Sequence, residues 1–266
     1  MPLVVYVLAL GTFLMGTTEF VVAGLLPEIT GDLQVSVAQT GLMITVFAVG
    51  MIVGAPLMAM LTLRLPKQLT LMLALGVFAA GHVIVALSSN FTLVLAARFL
   101  TAIATGAFWA VANVAAARAA GPAASSRALG LVGAGAMLAN VVGVPLGAFA
   151  GQAMGWRGPF WALAALAAAA IALIARTVPH DGGDAQTVSM ALAVRFARQA
   201  PVLASALTVS AFNLGTAIGS WIAGLTLDTS LGTTGPAVVG TVIAALTLIP
   251  TTALVLAQRR RSAVTV

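Results

Sequence analysis

Two ionisable side chains lie inside long apolar segments of this sequence, Glu19 and Arg98. A charged group in such a segment is costly, so it usually pairs with another charge or takes part in moving protons or ions. A carboxyl can bind and release a proton when burial and a nearby cation act on it in opposite directions, whereas arginine keeps its charge. The sequence therefore predicts a proton-binding carboxyl at Glu19 and a fixed positive charge at Arg98. A permanent ion pair that stabilises helix contacts is the alternative.

Other polar and aromatic residues within the apolar segments are candidates for lining a binding cavity. They are Trp109, Asn113, Asn140, Asn213, Trp221 and His82, with His82 the weakest of them. Each is also a common interhelical hydrogen-bonding or packing residue. With Glu19, the best candidates for contact with a small molecule are Trp109, Asn113 and Asn140.

Known enzyme and metal motifs are missing from the sequence. It has no Gly-x-Ser-x-Gly turn, no phosphate-binding loop and no His-Glu-x-x-His motif. Cysteine is absent and there are two histidines, so thiolate and histidine metal sites are not expected. We expect neither an enzyme, nor a metal, nor a cofactor.

The composition is that of a membrane protein. Of 266 residues, 61% are hydrophobic and 7% are charged, and the mean hydropathy is +1.11. A soluble domain carries about 25% charged residues. The net charge of +6 comes from basic residues that lie mostly singly between apolar runs, which is typical of topology signals rather than of a nucleic-acid surface. We therefore expect a multi-pass protein of a bacterial inner or plasma membrane, in contact with lipid and without a nucleic-acid partner.

The apolar runs are long enough for transmembrane helices, which need roughly 20 residues. They fall at about 3–26, 38–61, 69–88, 91–116, 127–150, 158–177, 201–226 and 236–257. The runs are too long for barrel strands and lack their alternation of polar and apolar residues. The prediction is an all-α bundle of about eight transmembrane helices.

The basic residues predict the orientation of these helices. If the N-terminus is cytoplasmic, ten of the twelve basic residues fall on the cytoplasmic side: Arg64, Lys67, Arg118, Arg127, Arg176, Arg195, Arg198, Arg259, Arg260 and Arg261. Both termini are then cytoplasmic, as eight spans require.

The one long polar stretch divides the chain. Residues 180–199 predict a cytoplasmic loop, after a six-helix unit over 1–179 and before two further helices and a basic tail over 200–266.

Several segments resemble a known transporter family. Gly16-Thr17-Thr18-Glu19-Phe20, followed by Gly24-Leu25-Leu26-Pro27, resembles the opening of drug/proton antiporters of the major facilitator superfamily, particularly the actinobacterial chloramphenicol exporters. The resemblance continues, in the family's order, through Gly54-Ala55-Pro56, Arg64-Leu65-Pro66-Lys67, Arg98 with Gly106, Gly143-Val144-Pro145-Leu146-Gly147 and Gly155-Trp156-Arg157.

The resemblance implies roles for individual residues. Glu19 would be the membrane carboxylate of proton exchange, and Arg98 the buried basic residue of the fourth helix. Arg64 and Lys67 would belong to the gating loop between helices two and three, where Leu63 and Pro66 depart from the general pattern. The antiporter motif of the fifth helix would comprise Gly143, Pro145 and Gly147.

The chain has about eight predicted helices, whereas members of that family have twelve. The stretch from Ala200 to Gly224 resembles the eleventh helix, so helices seven to ten would be missing between about Asp181 and Ser189. The resemblance implies efflux of small drug-like molecules, chloramphenicol above all, in exchange for protons. Export of sugars or nucleosides, and a shortened protein that does not transport, remain open. Missing helices would also favour association with a second copy.

Overall fold

The computed structural model describes two long stretches of the chain and parts of the remainder. The described residues are 1–62, 65–179, 207, 209–216, 218–219, 222, 226, 234–235, 237–243 and 245–246, with backbone alone at 37–38. The chain divides into two compact units, Met1–Leu214 and Gly215–Val266. The long stretches that contain the site belong to the first unit.

The long described stretches consist of helices and short connections. The α-helices are α1 (Leu3–Val21), α2 (Leu26–Leu33), α3 (Val37–Leu61), α4 (Lys67–Leu87), α5 (Phe91–Ala120), α6 (Ser125–Leu138), α7 (Val144–Met154) and α8 (Arg157–Thr177). Short 3₁₀ helices cover Val22–Leu25 and Pro122–Ala124, and a π-helical turn, Ala139–Gly143, joins α6 to α7. Across the described residues there is no β-strand, which confirms the all-α prediction.

Six helical segments are long and apolar enough to cross a membrane. They are Leu3–Leu33, Gln39–Leu61, Lys67–Leu87, Phe91–Ala120, Pro122–Met154 and Arg157–Thr177, called spans 1 to 6 below. They confirm the first six predicted helices. Half of the predicted helix at 201–226 and more than half of that at 236–257 lie outside the described residues. The predicted loop at 180–199 and the junction at 181–189 lie wholly outside them.

The helix ends have local causes. A reciprocal capping box starts α3: the Gln39 amide donates to Ser36 Oγ (3.1 Å), and the Ser36 amide donates to Gln39 Oε1 (2.8 Å). The helix α5 starts where Asn90 Oδ1 accepts from the Leu93 amide, and it ends at Gly121, whose φ of 75° suits glycine. These signals give each helix a defined register.

Span 1 is longer than predicted. The sequence predicts an end near residue 26, but a short 3₁₀ turn and α2 continue it to Leu33. Pro27 lies in the first turn of α2, where its missing N–H costs no helical hydrogen bond, so it starts a new helix instead of ending the span.

The packing of the helices places α1 at the centre of the site. The helix α3 packs against α5, α4 packs against α5 and α8, and α1 packs against α6, α8 and α5. Residues 209–214 are helical, and Ser210 Oγ donates to the carbonyl oxygen of Ile52 on α3 (2.8 Å). This short segment therefore joins the first unit beside α3.

Small residues allow span 5 to approach α1 closely. A Cβ added at Gly143, Gly147 or Gly151 would overlap the side chains of Thr17, Val21 and Leu25, respectively. In the opposite direction, a Cβ at Gly16 would lie 2.9 Å from that of Ala139. Residues four apart share one helix face, so the two helices contact each other over several turns.

Hydrogen bonds join three spans at the end opposite to Lys67. Asp32, at the end of span 1, accepts hydrogen bonds from Trp156 Nε1 (3.1 Å) and from Arg157. Arg157 Nη2 also donates to the carbonyl oxygen of Ser88, which follows span 3 (3.2 Å). This cluster fixes the start of α8 against spans 1 and 3.

The close approach of span 5 to α1 predicts a specific effect of added methyl groups. Gly143→Ala and Gly147→Ala should destabilise the fold by about 1–3 kcal/mol, because each new Cβ overpacks against α1. Thermal unfolding followed by tryptophan fluorescence in detergent measures the effect.

The matched control is Gly130→Ala, also on span 5, since a Cβ at Gly130 has no neighbour within 4 Å. Alanine favours the helix over glycine there, so the control should unfold at the same temperature or above the wild type. Equal stability of all four proteins would contradict the packing described.

Candidate functional site

A cavity of about 660 Å³ opens between α1, α5, span 5 and the segment 209–214. The four residues predicted to contact a small molecule, Glu19, Trp109, Asn113 and Asn140, all lie on its wall. The rest of the lining is mostly apolar or small: Gly16, Phe20, Val114, Ala117, Arg118, Leu129, Gly133, Ala136, Met137, Val209 and Phe212. Ligand sites of small molecules have this size and character.

The segment 209–214 contributes two residues that sequence reasoning missed, Val209 and Phe212. The sequence instead predicted that Asn213, the polar residue beside them, is a candidate for lining the cavity. Asn213 is fully buried, its Nδ2 donates to the carbonyl oxygen of Val209 (3.1 Å), and it is not among the lining residues. Helical spacing puts neighbouring residues on different faces, so a polar residue marks the helix but not the face that lines the cavity.

Glu19 is 4% exposed. It lies on α1 beside Arg98 of α5, and the two charges are near enough to interact electrostatically. Yet in the part of the chain that the structure describes, no ion pair joins the two side chains. The structure places the Glu19 side chain on the cavity wall.

Arg98 is 1% exposed and is anchored on one side only. Its Nη1 donates to the carbonyl oxygen of Thr18 (3.0 Å) and to Thr18 Oγ1 (2.9 Å). The guanidinium carbon lies 4.3 Å from the ring centroid of Phe47, a cation–π contact. Buried Nε and Nη2 have no hydrogen-bond partner. These two nitrogens form one edge of the guanidinium, which matches the two oxygens of a carboxylate.

His82 does not line the cavity but belongs to the polar group around Arg98. Its Nε2 lies 2.7 Å from Thr18 Oγ1, and its Nδ1 lies 2.7 Å from the carbonyl oxygen of Phe78. His82 was the weakest of the candidates predicted from the sequence, and Thr18 was not among them. The sequence feature that could have indicated Thr18 is its position directly before Glu19, a glutamate in an apolar segment.

The three other predicted contact residues differ in their surroundings. Trp109 Nε1 is buried without a hydrogen-bond partner at the cavity wall, which makes it an unused donor. Asn113 projects from α5 one helical turn further along. Asn140 lies in the π-helical turn of span 5 and is exposed. Such turns often occur at functional sites because they alter the direction of side chains within a helix.

Those gating and motif residues that the structure describes lie apart from the cavity wall. Lys67 starts α4 and lines a second cavity of about 220 Å³, which also contacts Arg118. Gly143 and Gly147 lie in the contact with α1, and Pro145 is in the first turn of α7. Arg64 lies outside the described residues.

The sequence profile of the Major Facilitator Superfamily matches residues 8–189 of the chain. The chain belongs to the major facilitator superfamily. With six apolar spans and bacterial transporters among its relatives, it is a multi-pass protein of the cell membrane.

Several curated relatives are transporters of bacterial membranes. A chloramphenicol resistance protein of Streptomyces lividans is 40% identical over 179 residues, which are 67% of this chain and 46% of the relative. The inner membrane transport protein YdhP of Escherichia coli K12 is 34% identical over 179 residues, again 67% of this chain and 46% of the relative. A probable sugar efflux transporter of Mannheimia succiniciproducens is 38% identical over 66% of this chain and 44% of the relative.

The fold is also similar to that of a solved member of the superfamily. The proton:xylose symporter XylE, bound to 6-bromo-6-deoxy-D-glucose, superposes with a TM-score of 0.60 at 15% identity, covering 81% of this chain and 51% of the symporter. The matched stretch is thus about half the length of the curated relatives and of this structure.

The geometry of α5 predicts which of two neighbouring positions water reaches. Ala117 lines the cavity, whereas Ala116 is 0% exposed. The chain has no cysteine, so Ala117→Cys and Ala116→Cys each introduce a single thiol. In the detergent-solubilised protein, a water-soluble maleimide should label Ala117→Cys rapidly and Ala116→Cys only after denaturation, as mass spectrometry would measure. Equal labelling of both native variants would contradict the assigned cavity wall.

Proposed function

We propose that this chain exports small neutral aromatic molecules of the chloramphenicol type in exchange for protons. The main support for this proposal is the position of Glu19 on the wall of a cavity of about 660 Å³. Its carboxyl is buried beside a buried arginine, Arg98, and forms no ion pair in the part of the chain that the structure describes. The relative from Streptomyces lividans, a chloramphenicol resistance protein, supports this class of substrate.

The chemistry of the cavity wall favours an apolar ring with a few polar substituents. Phe20, Val114, Leu129 and Met137 supply apolar surface. The polar groups that would orient the substrate are Trp109, Asn113 and Asn140 on the same wall. Few, separated polar groups in an apolar cavity fix the orientation of a ligand without having to replace a whole hydration shell.

The proton step follows from the two places available to the Glu19 carboxyl. When it carries a proton it is neutral and remains on the apolar wall, as charge is expensive there. When it loses the proton, the carboxylate turns to the Nε and Nη2 edge of Arg98, which is buried and without a partner. The movement clears space in the cavity, so substrate binding and proton binding oppose each other, as antiport requires.

The remaining predicted residues fit around this exchange. We assign Arg64 and Lys67 to a gate between spans 2 and 3, with both chain termini in the cytoplasm. We assign Gly143, Pro145 and Gly147 to a movement of span 5 along α1, because the two glycines present no side chain of their own to Thr17 and Val21. We further propose a transporter unit over 1–179, a cytoplasmic loop over 180–199 and two helices in 200–266, with a second copy substituting for helices that relatives have.

Sugar export is the second candidate, because one relative is a probable sugar efflux transporter. The mostly apolar wall argues against it, since a sugar presents many hydroxyl groups that would lose water without gaining partners. Competition by a hexose or a nucleoside against labelled chloramphenicol distinguishes these substrate classes.

Proton-coupled efflux predicts a selective effect of Glu19→Gln. The amide keeps the size of the side chain but cannot exchange a proton, so active efflux should fall to the background of cells without the protein. The measurement is accumulation of labelled chloramphenicol in an efflux-deficient bacterium, with and without a protonophore.

Glu28→Gln is the matched control, because Glu28 is the other glutamate of span 1 and does not line the cavity. It should preserve efflux. Undiminished, protonophore-sensitive efflux by Glu19→Gln would contradict the carrier role. Equal accumulation in wild-type and empty cells, with the protein present in the membrane, would contradict transport of chloramphenicol by this chain.

A further inference from the structure

A buried row of polar groups crosses three spans behind Glu19. It comprises Thr18 of α1, His82 of α4 and Arg98 of α5, whose exposed fractions are 0%, 1% and 1%. Arg98 Nη1 lies 2.9 Å from Thr18 Oγ1, and that oxygen lies 2.7 Å from His82 Nε2. The row ends at the carbonyl oxygen of Phe78, 2.7 Å from His82 Nδ1.

Donors and acceptors in this row have only one consistent arrangement for a neutral imidazole. A carbonyl oxygen only accepts, so His82 Nδ1 carries the proton that is donated to Phe78. Nε2 is then an acceptor and takes the hydroxyl proton of Thr18. The lone pairs of Thr18 Oγ1 consequently point away from His82 and accept from Arg98 Nη1. The tautomer of a histidine on one helix thereby sets the direction of the hydrogen bond to an arginine on another.

Packing holds the imidazole in this orientation. The ring centroid of His82 lies 4.0 Å from that of Phe78 and 5.7 Å from that of Phe160 on α8. A ring enclosed by two aromatic side chains and bonded at both nitrogens has little freedom to rotate. His82 is therefore a rigid acceptor at the centre of the bundle.

We propose that Thr18 and His82 are positioning residues for the proton step: together they hold one side of the Arg98 guanidinium so that its Nε and Nη2 edge stays ready for the Glu19 carboxylate. This inference rests on the proposed function. Both Nη1 hydrogens are used by Thr18, one by its carbonyl oxygen and one by its hydroxyl, while the other edge has no partner. Loss of the hydroxyl contact would let the guanidinium rotate and remove the two-point acceptor for the carboxylate.

A first test examines the row itself, independently of transport. The chain has two histidines, His82 and His180, so His180→Gln with ¹⁵N-labelled histidine leaves one imidazole in the nuclear magnetic resonance spectrum. We expect a neutral ring with Nδ1 protonated and Nε2 unprotonated, and Thr18→Val should shift the Nε2 resonance. A ring protonated at Nε2 instead, or an Nε2 resonance unchanged in Thr18→Val, would overturn the inference even if transport is confirmed.

A second test separates positioning from general stability. In proteoliposomes, Thr18→Val and His82→Phe should lose chloramphenicol transport driven by a proton gradient, yet retain exchange of labelled for unlabelled chloramphenicol at equal pH. Exchange needs the cavity and its movements but no net proton transfer. A purely structural role would reduce both activities together.

The conservative variants and one control complete the design. Thr18→Ser keeps the hydroxyl and His82→Gln keeps an acceptor, so both should recover a large part of the gradient-driven transport. Thr105→Val is the control, because the Thr105 hydroxyl is also fully buried but donates only within its own helix, to Thr101 (2.8 Å). It should behave like the wild type.

The outcomes are distinguishable from failure of the proposed function. If the wild type shows no gradient-driven transport of chloramphenicol, the proposed function fails, and the spectroscopic test alone decides the arrangement of the row. If the wild type transports and Thr18→Val matches it, the positioning role is wrong while proton antiport stands.

Discussion

A guanidinium buried between apolar helices needs hydrogen-bond acceptors from the protein itself, and this requirement at Arg98 organises the centre of the bundle. The hydrocarbon around transmembrane helices supplies no such acceptors. The acceptors come from Thr18 on α1 and, one step further, from His82 on α4. Three spans are thus held in register by one charge. Only two of the five N–H groups of the guanidinium are satisfied in this way, which leaves a buried binding edge beside Glu19.

The second constraint is the closeness of α1 to span 5. Glycine and alanine along that contact bring the two helices together, and Glu19 and Asn140 both line one cavity. Trp109 and Phe212 also lie on the wall of this cavity of about 660 Å³, while small residues form the helix contact. The charge and the glycines therefore act together: one fixes the register of the helices, and the other fixes their distance.

Much of the fold followed from hydrophobicity alone. Six apolar runs became six spans, because in lipid the backbone has few alternatives to a helix. The ends of the spans were less predictable. Pro27 is compatible either with the end of a helix or with the first turn of a new one, and in the structure it lies in the first turn of α2. At the site, Glu19, Trp109, Asn113 and Asn140 were predictable because polar and aromatic groups are rare in such runs. Val209, Phe212 and the bonding of His82 were not, because they depend on contacts between distant segments.

Competition of substrate and proton at Glu19 is the inference on which the proposed transport depends. Its most direct test is proton release from the purified, detergent-solubilised chain in weakly buffered solution, read with a pH indicator while chloramphenicol is added. We expect saturable release of protons by the wild type, and none by Glu19→Gln although that variant still binds the drug. Binding of chloramphenicol by the wild type without any release of protons would contradict it.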